Sequence, residues 1–164
     1  MATPTIVYLH GFRSSPLSVK AQLFLHAVAA LPASIRPRLH VPPLQIAPAT
    51  ALAAVAAWIE RELGERAPTE LTLIGSSLGG YYATVLAERC GARAVLINPA
   101  IRPYDDLRRY VGVQDNLHTG ERFEVNAAHF DELAAMRVAR ITRPQRYFLL
   151  VRSGDELLDW REAV

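Results

Sequence analysis

The chain is predicted to fold as an α/β domain of three layers, a parallel sheet covered by helices on both faces. Two observations predict it. Short apolar runs of four to six residues alternate with helix-like segments from end to end, as expected when every strand is buried on both sides. One of those runs, Leu71-Thr72-Leu73-Ile74, leads directly into Gly75-Ser76-Ser77-Leu78-Gly79 and then into a helical stretch beginning Gly80-Tyr81-Tyr82. That is the strand–turn–helix setting of a G-x-S-x-G nucleophile elbow.

The elements follow in order. Ile6-Val7-Tyr8-Leu9 is a short apolar strand that ends at His10-Gly11, a strand exit into a loop. Ser18 to Leu31 reads as a helix, with Ser18 as N-cap and Pro32 closing it. Arg38 to Val41 is a second strand, stopped by Pro42-Pro43. Thr50 to Leu63 is an alanine-rich helix, and Gly64 stands where a left-handed C-cap is expected. Leu71 to Ile74 is the third strand. Ala94 to Ile97 is the fourth, ended by Asn98-Pro99, and Tyr147 to Val151 is the fifth. The run from Glu156 to Val164 has the look of a helix start. Between the fourth and fifth strands, residues 103–140 are polar, with short helical pieces at Tyr104–Tyr110 and Phe130–Val138 and a turn at Thr119-Gly120. An insertion there emerges at the carboxyl ends of the strands, where ligands bind in such sheets, and is the natural place for a lid.

At 164 residues the chain is one domain's worth, large enough to bury a core without staples. Cys90 is the only cysteine, so no intrachain disulfide forms. With no base-like residue near it in sequence, it reads as a small apolar residue, and one cysteine with scattered histidines makes a poor zinc site. Net charge is +2, and the basic residues, nearly all arginine, are spread and interleaved with acids. That distribution argues against nucleic acid as a partner. No apolar run reaches membrane-spanning length, and Met1-Ala2-Thr3-Pro4 does not open a signal peptide, so no membrane partner and a cytoplasmic location are expected.

The elbow forces its serine into a strained turn, so the residues two positions away on each side must be small; Gly75 and Gly79 meet that demand. Ser77 is the expected nucleophile. The Leu78 N–H, at the start of the following helix, is one expected oxyanion donor. The second is the Phe12 N–H after the first strand, where Gly11 lets the backbone approach substrate closely. In α/β-hydrolases the triad runs serine, acid, histidine along the chain. Asp155, just after the fifth strand, is the expected acid; Glu156 and Asp159 fall within a helix start, where the dipole alone favours carboxylates. None of the five histidines, His10, His26, His40, His118 and His129, follows Asp155. Gly11, Phe12, Leu78, Tyr81, Pro99 and the insertion are expected to line an apolar acyl site beside Ser77.

These residues together resemble the YqiA-like esterases, small bacterial α/β-hydrolases. The resemblance rests on Tyr8-Leu9-His10-Gly11-Phe12 with Ser14-Ser15-Pro16, Ile74 through Thr84, Asn98-Pro99-Ala100 with Arg102-Pro103, Tyr110, Thr119-Gly120, and Gly154-Asp155-Glu156 with Leu158-Asp159. It implies an α/β-hydrolase-like three-layer fold and a cofactor-free serine esterase acting on small acyl esters or acyl-CoA thioesters. It supports Ser77 as nucleophile and Asp155 as acid. Arg13 departs from the pattern, which tends to have asparagine there. Proteins of this kind continue through a helix, a last strand and a Gly-Gly-x-His loop that supplies the base. The resemblance therefore implies that residues 1–164 are a single domain incomplete at its C-terminus, with last strand and histidine loop absent and activity weak. Two alternatives stand beside this: a non-catalytic α/β-hydrolase-like binding domain ending at Val164, and a site that draws its base from His129 in the insertion.

Overall fold

The apolar runs become a sheet because each has two faces to bury. In the computed structural model, which describes residues 3–153 and 160–164, Thr5–Leu9 (β1) is buried along nearly its whole length. It is followed by α1 (Val19–Ala29), β2 (Arg38–His40), α2 (Pro48–Glu62), the single-turn α3 (Ala67–Glu70), β3 (Leu71–Ser77), α4 (Leu78–Cys90) and β4 (Arg93–Pro99). Then come α5 (Pro103–Asp106), β5 (Gly112–Asp115), β6 (Arg122–Val125), α6 (Ala127–Ala135) and β7 (Tyr147–Leu150). Five strands pair in parallel in the order β2-β1-β3-β4-β7. The predicted three-layer α/β architecture is present.

Side-chain alternation sorts the core into two layers. Val7, Leu9, Leu71, Leu73, Ala94 and Leu96 face α2, α4 and the insertion, where they meet Val55, Ile59, Leu86, Phe130 and Leu133. Tyr8, Ile74, Val95 and Ile97 face α1 and pack with Ala21 and Phe24. Ser18 caps α1, its side chain accepting from the Ala21 N–H as expected of a serine N-cap. Helix α2 begins two residues before the expected start because Pro48 occupies its first turn, where a missing N–H costs nothing. Gly64 takes the left-handed conformation expected of it, at φ 51°.

The insertion departs from the expectation of helical pieces alone. It contains an antiparallel hairpin, Gly112 pairing with Val125 and Asp115 with Arg122, closed by the turn that holds Gly120. The first expected helical piece divides into α5 and a 3₁₀ turn at Arg108–Tyr110, and the second starts earlier, at Ala127. Asn126 caps α6 in a capping box whose other member is the His129 ring. Among the described residues, no helix is long and apolar enough to cross a membrane.

The order of strands fixes where a site can be. The chain leaves β1 towards β2 on one side and leaves β3 towards β4 on the other. The crevice at such a switch point, outside the carboxyl ends of the two strands, is where open α/β sheets bind ligands. The residues at those ends are Gly11 and Ser77.

Candidate active site

Ser77 stands between β3 and α4 with φ 54° and ψ −122°. This is a sparsely populated region for a residue with a side chain, and it persists only where the surroundings over-determine it. Three contacts do so. The Ser77 carbonyl accepts from the Ala100 N–H at 3.0 Å. The β3–β4 register shifts between Ser76 and Ser77, so that Ser77 pairs with Pro99. The glycines on either side allow the chain to fold tightly back: a Cβ on Gly75 would overlap the Gly79 carbonyl, and one on Gly79 would overlap the Leu9 carbonyl. Ser77 is half-buried. Beneath it, the buried Ser76 hydroxyl accepts from Lys20 Nζ at 3.2 Å.

Gly11 lies directly against the serine. A Cβ built there would stand 3.3 Å from Ser77 Cβ and 3.7 Å from its Oγ. The loop is set by His10, which is buried. His10 Nε2 accepts from the Leu44 N–H at 3.2 Å, which leaves Nδ1 as the protonated nitrogen, 3.1 Å from the Gly11 carbonyl. Burial holds the ring below its ordinary pKa, against the opposing effect of the Gly11 bond, with His118 adding to the lowering. The ring is thus neutral in the fold. A neutral buried histidine stabilises the fold above its ordinary pKa of 6.5, and that contribution is lost as acid charges it. Thermal melts at pH 7.5 and 5.5 are expected to show a larger drop for the wild type than for His10→Gln; equal drops would count against the neutral tautomer.

Of the other four histidine rings, those of His40 and His129 are engaged. His40 stacks on Trp58 at 4.1 Å, His129 closes the α6 capping box, His118 lies in the exposed hairpin turn and His26 on α1. Among the described residues no imidazole is hydrogen-bonded to Ser77. Asp155 lies outside the described residues.

Two cavities flank the elbow. Gly11, Phe12 and Leu78 border one of about 550 Å³, between the loops after β1 and β2 and the hairpin. Tyr81 and Pro99 border another of about 500 Å³, against β4 and β7. The Tyr81 hydroxyl donates to the Leu133 carbonyl at 2.6 Å, tying α4 to α6, and burial pushes its pKa up to about 12.

Two asparagines do positioning work that local pattern does not announce. Asn98, at φ 40°, accepts from the Arg152 N–H at 2.8 Å and so holds the chain where it leaves β7; its Asn-Pro turn signal marked only a strand end. Asn116 Oδ1 accepts from the His118 and Thr119 N–H groups, while its Nδ2 donates to the Ser14 carbonyl at 2.9 Å. It closes the hairpin turn and fastens it to the loop that carries Phe12. Arg13 adds a bond from Nε to the Asp115 carbonyl at 3.0 Å, and the Leu117 N–H donates to the Arg13 carbonyl at 2.8 Å. Asn116→Ala is expected to cost about 0.5–1.5 kcal/mol in urea unfolding, because it removes three hydrogen bonds whose backbone partners are largely open to water. Amide exchange in 112–125 should quicken well before exchange in β3, and unchanged protection of the hairpin would refute the fastening role.

A model of the Uncharacterised protein family (UPF0227) matches residues 5–164. Solved structures similar to this one include a monoacylglycerol lipase from Paleococcus ferrophilus, at 17% identity over 99% of this chain and 79% of that one, TM-score 0.65. Mouse alpha/beta hydrolase domain-containing protein 10 is similar at 17% identity over 99% and 74%, TM-score 0.64. Est1E from Butyrivibrio proteoclasticus, with bound ferulic acid, is similar at 13% identity over 98% and 73%, TM-score 0.64. At such identities the likeness is one of fold, and the fold is that of the α/β-hydrolases.

Proposed function

Since the chain belongs to the Uncharacterised protein family UPF0227, the YqiA-like group that its motifs resemble, we propose that it is a serine esterase acting on small acyl esters or acyl-CoA thioesters. The observation that carries this reading is the strained backbone of Ser77 at the switch point of the sheet, with Gly11 packed against it. A backbone in that conformation sets the serine at the start of α4, and strain of this kind clusters at active sites.

In this reading Ser77 Oγ attacks the acyl carbonyl carbon, and the Phe12 and Leu78 N–H groups stabilise the oxyanion. A histidine takes the serine proton and passes it to the departing alcohol or thiol as the carbon–oxygen or carbon–sulfur bond breaks. Water then cleaves the acyl-serine, releasing a carboxylic acid and restoring the hydroxyl. Asp155 orients the histidine. None of the imidazoles among the described residues is hydrogen-bonded to Ser77, and this histidine is assigned to no position. The name of one neighbour, a monoacylglycerol lipase, agrees with ester chemistry on this fold.

Reaction with an alkyl fluorophosphonate, followed by intact mass and peptide mapping, tests the reading: an adduct on Ser77 is expected. The second reading is a non-catalytic binding domain, and absence of any adduct would select it.

A further inference from the structure

We propose that the cavity bounded by the loops after β1 and β2 and by the β5–β6 hairpin receives the acyl chain of the substrate, an uncharged hydrocarbon chain; this rests on the esterase reading above. The leaving group then departs on the opposite side, over β4 and β7.

Position is the first argument. The cavity begins at Gly11 and at Phe12 and Leu78, the two backbone positions assigned to the oxyanion. A Cβ on Gly11 would stand 3.7 Å from Ser77 Oγ, so the glycine backs onto the serine. An acyl carbon bonded to Ser77 Oγ with its oxygen between the Phe12 and Leu78 N–H groups therefore sits at the mouth of this space.

Topology is the second. The sheet order sets β1 and β2 on one side of β3, and β4 and β7 on the other. The proposed acid follows β7 in sequence, so the histidine it orients approaches Ser77 from that side. The base must protonate the leaving group, which places the leaving group on the β7 side as well. The acyl chain is left the β1–β2 side, where this cavity lies.

Chemistry is the third. Phe12, Leu44, Leu78, Tyr82 and Phe123 supply an aliphatic and aromatic wall. The Phe12 ring is braced from behind by Tyr110 at 5.3 Å and Phe123 at 6.2 Å between ring centroids. Of the two charged lining residues, Glu121 is exposed to solvent and Arg13, half-buried, donates from its Nε to the Asp115 carbonyl. At about 550 Å³ the space falls within the range of small-molecule sites, roughly 300–1,000 Å³. The hairpin that roofs it is held shut by the Asn116 and Arg13 bonds.

The test separates the pocket from the catalysis. Binding of decanoate to the Ser77→Ala protein is measured by titration calorimetry, which needs no turnover. One saturable site is expected. Leu44→Trp and, at an exposed position that tolerates bulk, Ile46→Trp are each expected to weaken decanoate at least tenfold. Ile141→Trp, which fills the cavity against β4 and β7, is expected to leave it unchanged. No saturable binding, or loss of binding in Ile141→Trp with retention in both other variants, overturns the proposal. The esterase reading is judged separately, by whether hydrolysis of 4-nitrophenyl butyrate depends on Ser77.

Discussion

Replacing Ser77 with alanine is expected to lower ester hydrolysis by about 10⁴–10⁶-fold, as loss of a triad nucleophile does. The fold should not suffer. Alanine keeps the Cβ, and the Ser77 carbonyl still accepts from Ala100. Removing the hydroxyl also spares any group left unpaired, since none of the described hydrogen bonds involves Ser77 Oγ. The expected pattern is therefore an unchanged melting temperature with activity gone. Residual hydrolysis within tenfold of wild type would remove Ser77 from the mechanism and, with it, the proposed reaction.

The largest effect on folding is expected at Gly79. A Cβ there would fall on the Leu9 carbonyl group and stand 2.6 Å from the His10 carbonyl oxygen. Those atoms belong to the backbone at the carboxyl end of β1 and just beyond it, so they cannot swing aside as a side chain would. Either the start of α4 leaves the sheet or the loop carrying Gly11 is pushed off Ser77. Gly79→Ala is expected to cost more than about 4 kcal/mol, comparable to the whole stability of a marginal domain. Gly64→Ala is the useful contrast. Gly64 has φ 51° but no atom within 4 Å of a built Cβ, so only conformational strain of about 1–2 kcal/mol applies. Chemical unfolding of the two variants decides: similar midpoints would mean that the close approach at the elbow is not what holds it.

How far the sequence could be read depended on whether a residue's work was local. The short apolar runs announced β1, β3 and β4 because strands buried on both faces have little choice of composition. Strand β7 was announced the same way, although its Phe148 and Leu150 are exposed. Ser77 was legible because the glycines it requires stand two residues away. The hairpin was not. Gly112–Asp115 and Arg122–Val125 carry few β-branched residues, and such short strands cannot hold together alone. Their support is Ser14 and Arg13, far away in the chain. Tyr81 was marked for substrate, and sequence gave no sign of the bond from its hydroxyl to Leu133. Its partner lies on a helix whose packing depends on the whole insertion. Arg13 carries the same lesson: its φ of 55° is one that asparagine tolerates better, yet the arginine side chain reaches Asp115.

Those contacts between the hairpin and the loop after β1 have a kinetic meaning. Arg13 and Asp115, and likewise Ser14 and Asn116, are separated by 102 positions along the chain. Bringing them together requires closing a long loop of polypeptide, and contacts of that span are slow to form. The central strands can pair first, since β1, β3 and β4 are joined by shorter connections. The roof of the cleft closes only when most of the chain is already in place. Exposed turns with few buried contacts are also where native proteins open locally. The cleft is thus the part of this molecule assembled late in folding and released early under stress.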